Sequence, residues 1–432
     1  MAVLWLLLLV GLSIFLLGVF IWAVVKHFLT AEISSSLQHP VKLRLMQCVV
    51  LFTIALGNIL QKLRICSMPS FIKFLHDLRG RKKDPTLVVT NMHFGTIPVR
   101  LFQPKAVSSN LRRGIIFFHG GGALFGSLNL IIIKKDPNML VTDTRFGTVP
   151  VRLFKPKKVS SKLRRGIIFY HGGGGIFGSL DVYHGLGNFL ARETDSVVLL
   201  VGYRKLPDHS HPCITKDCLN ASIYFMKNLM TYGVDPSRVV ACGESIGGGA
   251  VALVIQALLS FPSLPRIRAQ VLITPVMQAV NFRLPSHQQN QNVPFLTNDI
   301  LMIAVCKYMD IDFSWKDALL NGTYMPLDSW KKYSKWLSSD NIPRRFKSKS
   351  LLPEFSGPFN ETAYLEIKHI LDTEVSPLLV EDKIIAQLPQ AFLVTCENDP
   401  LRDDALLYKK RLEDQGVPVT WYHVEDGFHG CI

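Results

Sequence analysis

The residues of this chain whose types and spacing could do chemistry together are Ser245, Asp399 and His429. Ser245 lies in Gly243-Glu244-Ser245-Ile246-Gly247, between the apolar run Val239–Cys242 and the apolar stretch Ala250–Leu259. The first reads as a strand and the second as a buried helix. A serine at such a turn, with glycine two residues to either side, exposes its hydroxyl, because glycine permits the sharp bend and close backbone approach. The helix that follows aims its first N–H groups at the site. A hydroxyl becomes a nucleophile when a base takes its proton and an acid orients that base. Asp399, in Glu397-Asn398-Asp399-Pro400-Leu401-Arg402-Asp403, and His429, in Glu425-Asp426-Gly427-Phe428-His429-Gly430, each fall just past an expected strand, in the order Ser, Asp, His. The fourth piece is His171-Gly172-Gly173-Gly174, a loop whose bare backbone offers N–H donors to a developing oxyanion. The expected donors are glycines among Gly172, Gly173 and Gly174 and the N–H of Ile246, with His171 organising the loop. Together these pieces define acyl transfer through an acyl-serine.

Other residues compete for these roles. Asp403 and Asp404 are close to Asp399, but their ordinary role is charge on the first turn of the following helix. His423 falls inside a strand and reads as a packed or half-exposed strand residue. Cys242 reads as a small core hydrophobe. None of the eight cysteines forms a Cys-x-x-Cys pair, which argues against a zinc site. Cys213 and Cys218 either bridge or stay free.

To bring the four pieces together, the chain has to alternate strands and helices. After the glycine loop come a helix over Tyr183–Glu193, a strand over Ser196–Val201, a helix over Lys216–Leu229 and the Ser245 strand. A strand over Ala269–Pro275 follows, then, after an interruption, the strand Ala391–Cys396, the helix Asp404–Gln415 and the strand Val419–Val424. This alternation predicts a mostly parallel sheet flanked by helices. Residues 277–376, rich in aromatics and proline, break it and are expected to form a helical lid.

Upstream, the segment Lys82–Leu128 recurs almost word for word as Lys134–Leu180. Each copy carries Phe-Gly-Thr-(Ile/Val)-Pro-Val-Arg-Leu-Phe and His-Gly-Gly-Gly, and each reads as two strands and a glycine loop. Two copies are too few for a solenoid, so this is a tandem duplication. His171 is followed by the helix and strand that a sheet requires, whereas His119-Gly120-Gly121-Gly122 runs through Leu130-Ile131-Ile132-Ile133 straight into the next copy. The second copy is therefore expected in the sheet. The first is a spare that pairs at an edge, packs outside or stays partly disordered.

Residues 2–25 are almost wholly apolar, long enough for one helix across a hydrocarbon core of ~30 Å, and they lack the features of a cleaved signal. An uncleaved anchor is expected. Lys26 and His27 behind it favour a cytosolic C-terminal side. The sequons at Asn220, Asn321 and Asn360 favour a lumenal one, and the sequence leaves the two open. A second apolar run, Leu45–Leu60, reads as a helix lying on the membrane or covering the catalytic part. The formal net charge is +15, but the basic residues are scattered in short pairs such as Arg112-Arg113 and Arg344-Arg345. That pattern disfavours nucleic acid and suits a solvated surface near anionic lipid.

With His-Gly-Gly-Gly, Tyr203-Arg204-Lys205-Leu206-Pro207-Asp208-His209, Gly-Glu-Ser-Ile-Gly-Gly, Asp-Pro-Leu-Arg-Asp and Asp-Gly-Phe-His-Gly, the chain resembles the hormone-sensitive-lipase group of α/β-hydrolases. Within that group it resembles the arylacetamide deacetylase family, over the N-terminal anchor and nearly everything after residue 134. The resemblance implies an α/β-hydrolase fold with a lid and an N-terminal transmembrane helix. It implies a type II endoplasmic-reticulum anchor, a lumenal catalytic domain, no cofactor, and hydrolysis of carboxylic esters or arylacetamides by Ser245, Asp399 and His429. The expected division is an anchor over 1–25, membrane-proximal helices over 26–81, the spare copy over 82–133 and the catalytic domain over 134–432. Two departures from the family, the second copy of the loop and a chain that stops three residues after His429, give the alternative expectation. That alternative is a hydrolase-fold binding protein unable to position its base, because chain ends fray.

Overall fold

A computed structural model describes residues 2–30, 40–68, 70–71, 87–94, 97–104, 138–158, 160–293, 295–347 and 357–431; within the first helix, side chains are described at 5 and 10–26. The His-Gly-Gly-Gly at 119–122 lies outside the described residues.

The centre is an eight-stranded sheet in the order β10-β9-β8-β7-β5-β6-β4-β3. Its strands are β3 (Met139–Phe146), β4 (Val149–Pro156), β5 (Arg164–Tyr170), β6 (Ser196–Val201), β7 (Val234–Glu244), β8 (Ala269–Ile273), β9 (Gln390–Asn398) and β10 (Val419–Phe428). The pairs from β10 to β6 are parallel, while β4 runs antiparallel to both β3 and β6. β1 (Leu87–Phe94) and β2 (Ile97–Pro104), from the first copy, form a separate two-stranded antiparallel sheet.

Central strands read as unbroken apolar runs because both faces are covered. In β5, Ile168 and Tyr170 pack with Phe225, Val251 and Leu272 on one face, while Ile167 and Phe169 pack with Phe154 and Ala191 on the other. The crossover helices that cover these faces are α3 (His184–Thr194), α4 (Cys213–Lys227), α5 (Ile246–Leu258) and, between β9 and β10, α8 (Arg402–Asp414). Earlier come α1 (Ala2–Thr30) and α2 (Pro40–Lys62), and the insertion carries α6 (Asn298–Met309) and α7 (Leu327–Leu337) among its helices. Among the residues whose side chains are described, which in α1 leave out 2–4, 6–9 and 27–30, no helix is long and apolar enough to cross a membrane.

The hairpin β3–β4 joins the sheet by the pairing of β4 with β6 and is braced by Arg152, which is buried on β4. Its guanidinium donates to both oxygens of Asp143 (2.6 and 2.8 Å), donates to the Leu180 carbonyl (3.1 Å) and pairs with Asp181 (2.8 Å). This fork ties the edge hairpin to the loop that follows the glycines. At the position matching Asp143, the first copy has Asn91, so its sequence lacks the carboxylate of that fork.

Asp403 and Asp404 lie in the first turn of α8, where the sequence places them, and both are fully buried. Asp403 accepts from the Ser286 N–H (2.6 Å) and the Arg402 guanidinium (3.0 Å), and Asp404 accepts from the Gln278 amide (2.8 Å). They hold the start of the insertion against α8, and an unpaired carboxylate there would be costly.

Candidate active site

Ser245 ends β7 and begins α5, with backbone at φ 55°, ψ −122°. Few residues other than glycine adopt such a conformation, and here it lifts the hydroxyl clear of the strand end. The neighbouring glycines allow it. A Cβ on Gly243 would lie 2.3 Å from the Gly247 carbonyl oxygen, and one on Gly247 would lie 2.2 Å from that of Tyr170. The Ser245 N–H donates to the Ile273 carbonyl (2.9 Å), and its carbonyl accepts from Gly249 and Val276 (3.1 Å each).

Asp399 and His429 arrive from the adjacent ends of β9 and β10. His429 Nδ1 lies 3.0 and 3.1 Å from the two Asp399 oxygens, and its Nε2 lies 2.9 Å from Ser245 Oγ. All three residues are buried, Asp399 completely. With Nδ1–H donating to Asp399, Nε2 is left as the acceptor facing the serine hydroxyl, which is the tautomer a general base needs. Burial pulls the imidazole's pKa down, but the charge and hydrogen bond of Asp399 and the charge of Glu244 outweigh it and raise the net value above the ordinary one. The alternative of a base left unpositioned near the chain end is not favoured. Phe428 pairs with Asn398 across β10 and β9, the Asn398 amide donates to the Gly427 carbonyl (3.2 Å), and Phe428 stacks on Phe295 with centroids 5.2 Å apart.

The glycine loop lies beside the serine, a Cβ on Gly172 being 3.3 Å from Ser245 Cβ. His171 is fully buried and stacks on Tyr203 at 4.1 Å. Its Nδ1–H donates to the Gly172 carbonyl (2.8 Å), while its own carbonyl accepts from the Tyr203 hydroxyl (2.7 Å). Burial, with the Lys205 charge, pulls its pKa to about 3, so the ring is neutral. The Gly172 N–H is taken: it donates to the Tyr183 hydroxyl (3.1 Å), which in turn donates to Glu244 Oε2 (2.6 Å). That corrects Gly172 as a donor. Gly173 and Gly174 line the cavity with Ser245, and Ile246, at the first position of α5, has an N–H without an intrahelical acceptor. The Tyr183–Glu244 pair escaped sequence reasoning. Glu244 lies inside the serine motif, but nothing in the sequence marks Tyr183.

Above the serine is an apolar cavity of about 970 Å³. Leu301, Ala304 and Tyr308 on α6 form part of its wall, and Val50 and Ile54 on α2 form another part. The Gln47 side chain of α2 accepts from the Phe295 N–H (2.8 Å), and Gln61 accepts from Lys307 (3.0 Å), so this helix is fastened to the insertion. Of the rejected candidates, His423 sits on β10 paired with Glu397 (2.9 Å), and all eight cysteines are free, Cys213 and Cys218 both on α4. Asn220 and Asn360 are exposed, and Asn321 accepts from Arg283 (2.9 Å).

A strained serine at the end of a parallel strand, facing a histidine and an aspartate from the last two strands, is the arrangement of the α/β-hydrolase class, and residues 167–337 and 324–432 match the family described as alpha/beta hydrolase fold. Carboxyl esterase 2 of the fungus Tuber melanosporum shares this fold, with a TM-score of 0.51 at 22% identity over 69% of this chain and 80% of that one. A Rhizomucor miehei esterase does so at 0.52 and 22%, over 69% and 77%. Among curated proteins, human arylacetamide deacetylase-like 4 is 57% identical over 100% of this chain and 93% of its own length. Human arylacetamide deacetylase-like 3 is 44% identical over 97% and 90%, and bovine arylacetamide deacetylase 36% over 74% and 81%. The chain belongs to the arylacetamide deacetylase family of hydrolases.

Proposed function

We propose that this chain is a membrane-anchored serine hydrolase that cleaves carboxylic esters with apolar acyl or aryl groups, arylacetamides and neutral lipid esters falling within the same chemistry. The observation that carries the proposal is the unbroken hydrogen-bond chain Ser245–His429–Asp399 at the floor of an apolar cavity. His429 Nε2 takes the serine proton as Oγ attacks the carbonyl carbon. The oxyanion forms beside the N–H groups of Gly173, Gly174 and Ile246. The imidazolium, held by Asp399, then protonates the leaving alcohol or amine, and water activated by the same base releases the acid from Ser245. The names of the relatives, arylacetamide deacetylases, support aryl amides among the substrates.

A fluorophosphonate probe tests the nucleophile. The full-length chain is expected to be labelled, and Ser245→Ala to abolish labelling. A folded chain that takes no label would overturn the reading.

Attachment through α1 to the endoplasmic-reticulum membrane, as a single-pass type II protein with a lumenal catalytic domain, belongs to the same proposal. It is supported by the apolar sequence 2–25 and by the exposed Trp5, Ile14, Leu17, Ile21 and Trp22 on α1. A lumenal domain would acquire sugar at its sequons, so glycosidase treatment is expected to raise gel mobility, less so in Asn360→Gln. Unchanged mobility after glycosidase would place the domain on the other side.

A further inference from the structure

A cysteine lies near Asp399 on β9, and another lies just past the end of β10, beyond His429. Cys396 stands three residues before Asp399 on β9 and is fully buried; Cys431 stands two residues after His429 and is exposed. Their sulfurs are 3.8 Å apart. The local backbone creates this meeting. Gly430 takes φ 77°, and the Cys431 N–H donates to the Phe428 carbonyl (3.2 Å), which turns the chain back over β9. Gly427 leaves room for the buried thiol, since a Cβ there would come within 2.7 Å of Cys396 Sγ. Two sulfurs in contact need only side-chain rotation and a small shift of the turn to reach a bond of about 2 Å.

We propose that Cys396 and Cys431 form a disulfide that fastens the His429 turn to the strand carrying Asp399. The cross-link itself stands on geometry, whereas its consequence for labelling rests on the hydrolase reading above. The oxidant is a low-molecular-weight disulfide of the glutathione type. The Cys431 thiolate attacks one sulfur of that disulfide, forming a mixed disulfide and expelling one thiolate. Cys396 then gives up its proton and attacks Cys431 Sγ, expelling the second. Two protein thiols are oxidised and one external disulfide is reduced to two thiols. Cys431 is the first attacker because it is exposed and held below the usual thiol range, chiefly by its hydrogen bond with Cys396, whose own thiol the same bond and burial push up. An oxidising lumen would favour the bridge. The bond would close a loop between residues 35 apart, restrict the unfolded chain and keep the turn bearing the base on its strand.

Trypsin separates the two cysteines into peptides 384–402 and 412–432. Full-length protein is treated with oxidised glutathione or with dithiothreitol, alkylated and digested. The expected result after oxidation is one linked pair of these peptides, two hydrogens lighter than their sum; after reduction both are expected to be alkylated. Heat-induced loss of fluorophosphonate labelling is expected about 5 °C higher in the oxidised chain. Cys431→Ser is expected to remove that difference while leaving labelling of the reduced chain at room temperature unchanged. Alkylation or glutathionylation of both cysteines after oxidation, or linkage of either to another cysteine, would overturn the cross-link. A linked pair with no thermal difference would overturn its role at His429. A chain that is cross-linked yet never labelled would count against the hydrolase reading and leave the disulfide standing.

Discussion

At the scale of single residues, the imidazole of His429 faces two carboxylates, and only one of them touches it. Asp399 bonds its Nδ1, whereas Glu244, immediately before the serine, acts through its charge. Both favour the imidazolium, and a base works only when neutral, so activity falls as pH drops through a His429 pKa lying above the ordinary histidine value. In a pH profile of kcat/KM for an aryl ester, Glu244→Gln is expected to move the acid limb to lower pH, because one source of that elevation is gone. An unmoved limb would show that Glu244 acts only through Tyr183. Asp399→Asn leaves the ring without its orienting acceptor and is expected to lower kcat on the order of 10⁴-fold. Ser245, Asp399 and His429 were legible because each stands in a short motif at a strand end. Tyr183, 61 residues from Glu244, was not, since only the folded loop brings its hydroxyl to that carboxylate. Asp403 and Asp404 were legible as first-turn carboxylates but not as buried ones, since their partners Ser286 and Gln278 come from the insertion that folds over them.

At the scale of elements, the site depends on how closely α5 approaches the end of β5. Gly247→Ala would set a methyl 2.2 Å from the Tyr170 carbonyl oxygen, a backbone atom that cannot rotate aside. The expected result is a loss of stability of about 2 kcal/mol, read from the urea midpoint, with labelling of Ser245 strongly reduced. Gly185→Ala is the control, since its Cβ would meet nothing within 4 Å. Equal effects of the two changes would remove the packing argument. The alternation of strands and helices was legible because apolar runs such as Val197–Val201 and Val271–Ile273 belong to strands covered on both faces. Boundaries were less so: β7 begins at Val234, ahead of its apolar run, because Val234 pairs with Arg164 of β5.

At the scale of the molecule, the cavity wall combines segments far apart in sequence. Val50 and Ile54 of α2 share the cavity wall with residues of α6, and the bonds from Gln47 and Gln61 fasten α2 to the insertion. The apolar run of α2 announced a helix, but not the surface it would cover, because a greasy face is equally suited to lipid or protein. The insertion at 277–376 was legible only as an interruption. Its place above the serine follows from tertiary anchors such as Ser286 with Asp403.

The separate hairpin β1–β2 has one more consequence, which concerns editing the chain. The two copies are offset by 52 residues, so removing 82–133 joins Arg81 to Lys134 and the seam still reads Arg-Lys-Lys-Asp-Pro. The excision erases a whole unit without leaving a foreign junction, and the eight-stranded sheet loses no strand. The shortened chain is expected to take fluorophosphonate at Ser245 as readily as the full one, with a melting temperature within a few degrees of it; failure to fold would give the first copy a structural duty. If the shortened chain performs equally well, 82–133 is a stretch in which substitutions accumulate without affecting the reaction, including changes to His119 that would disrupt the loop if made at its twin, His171.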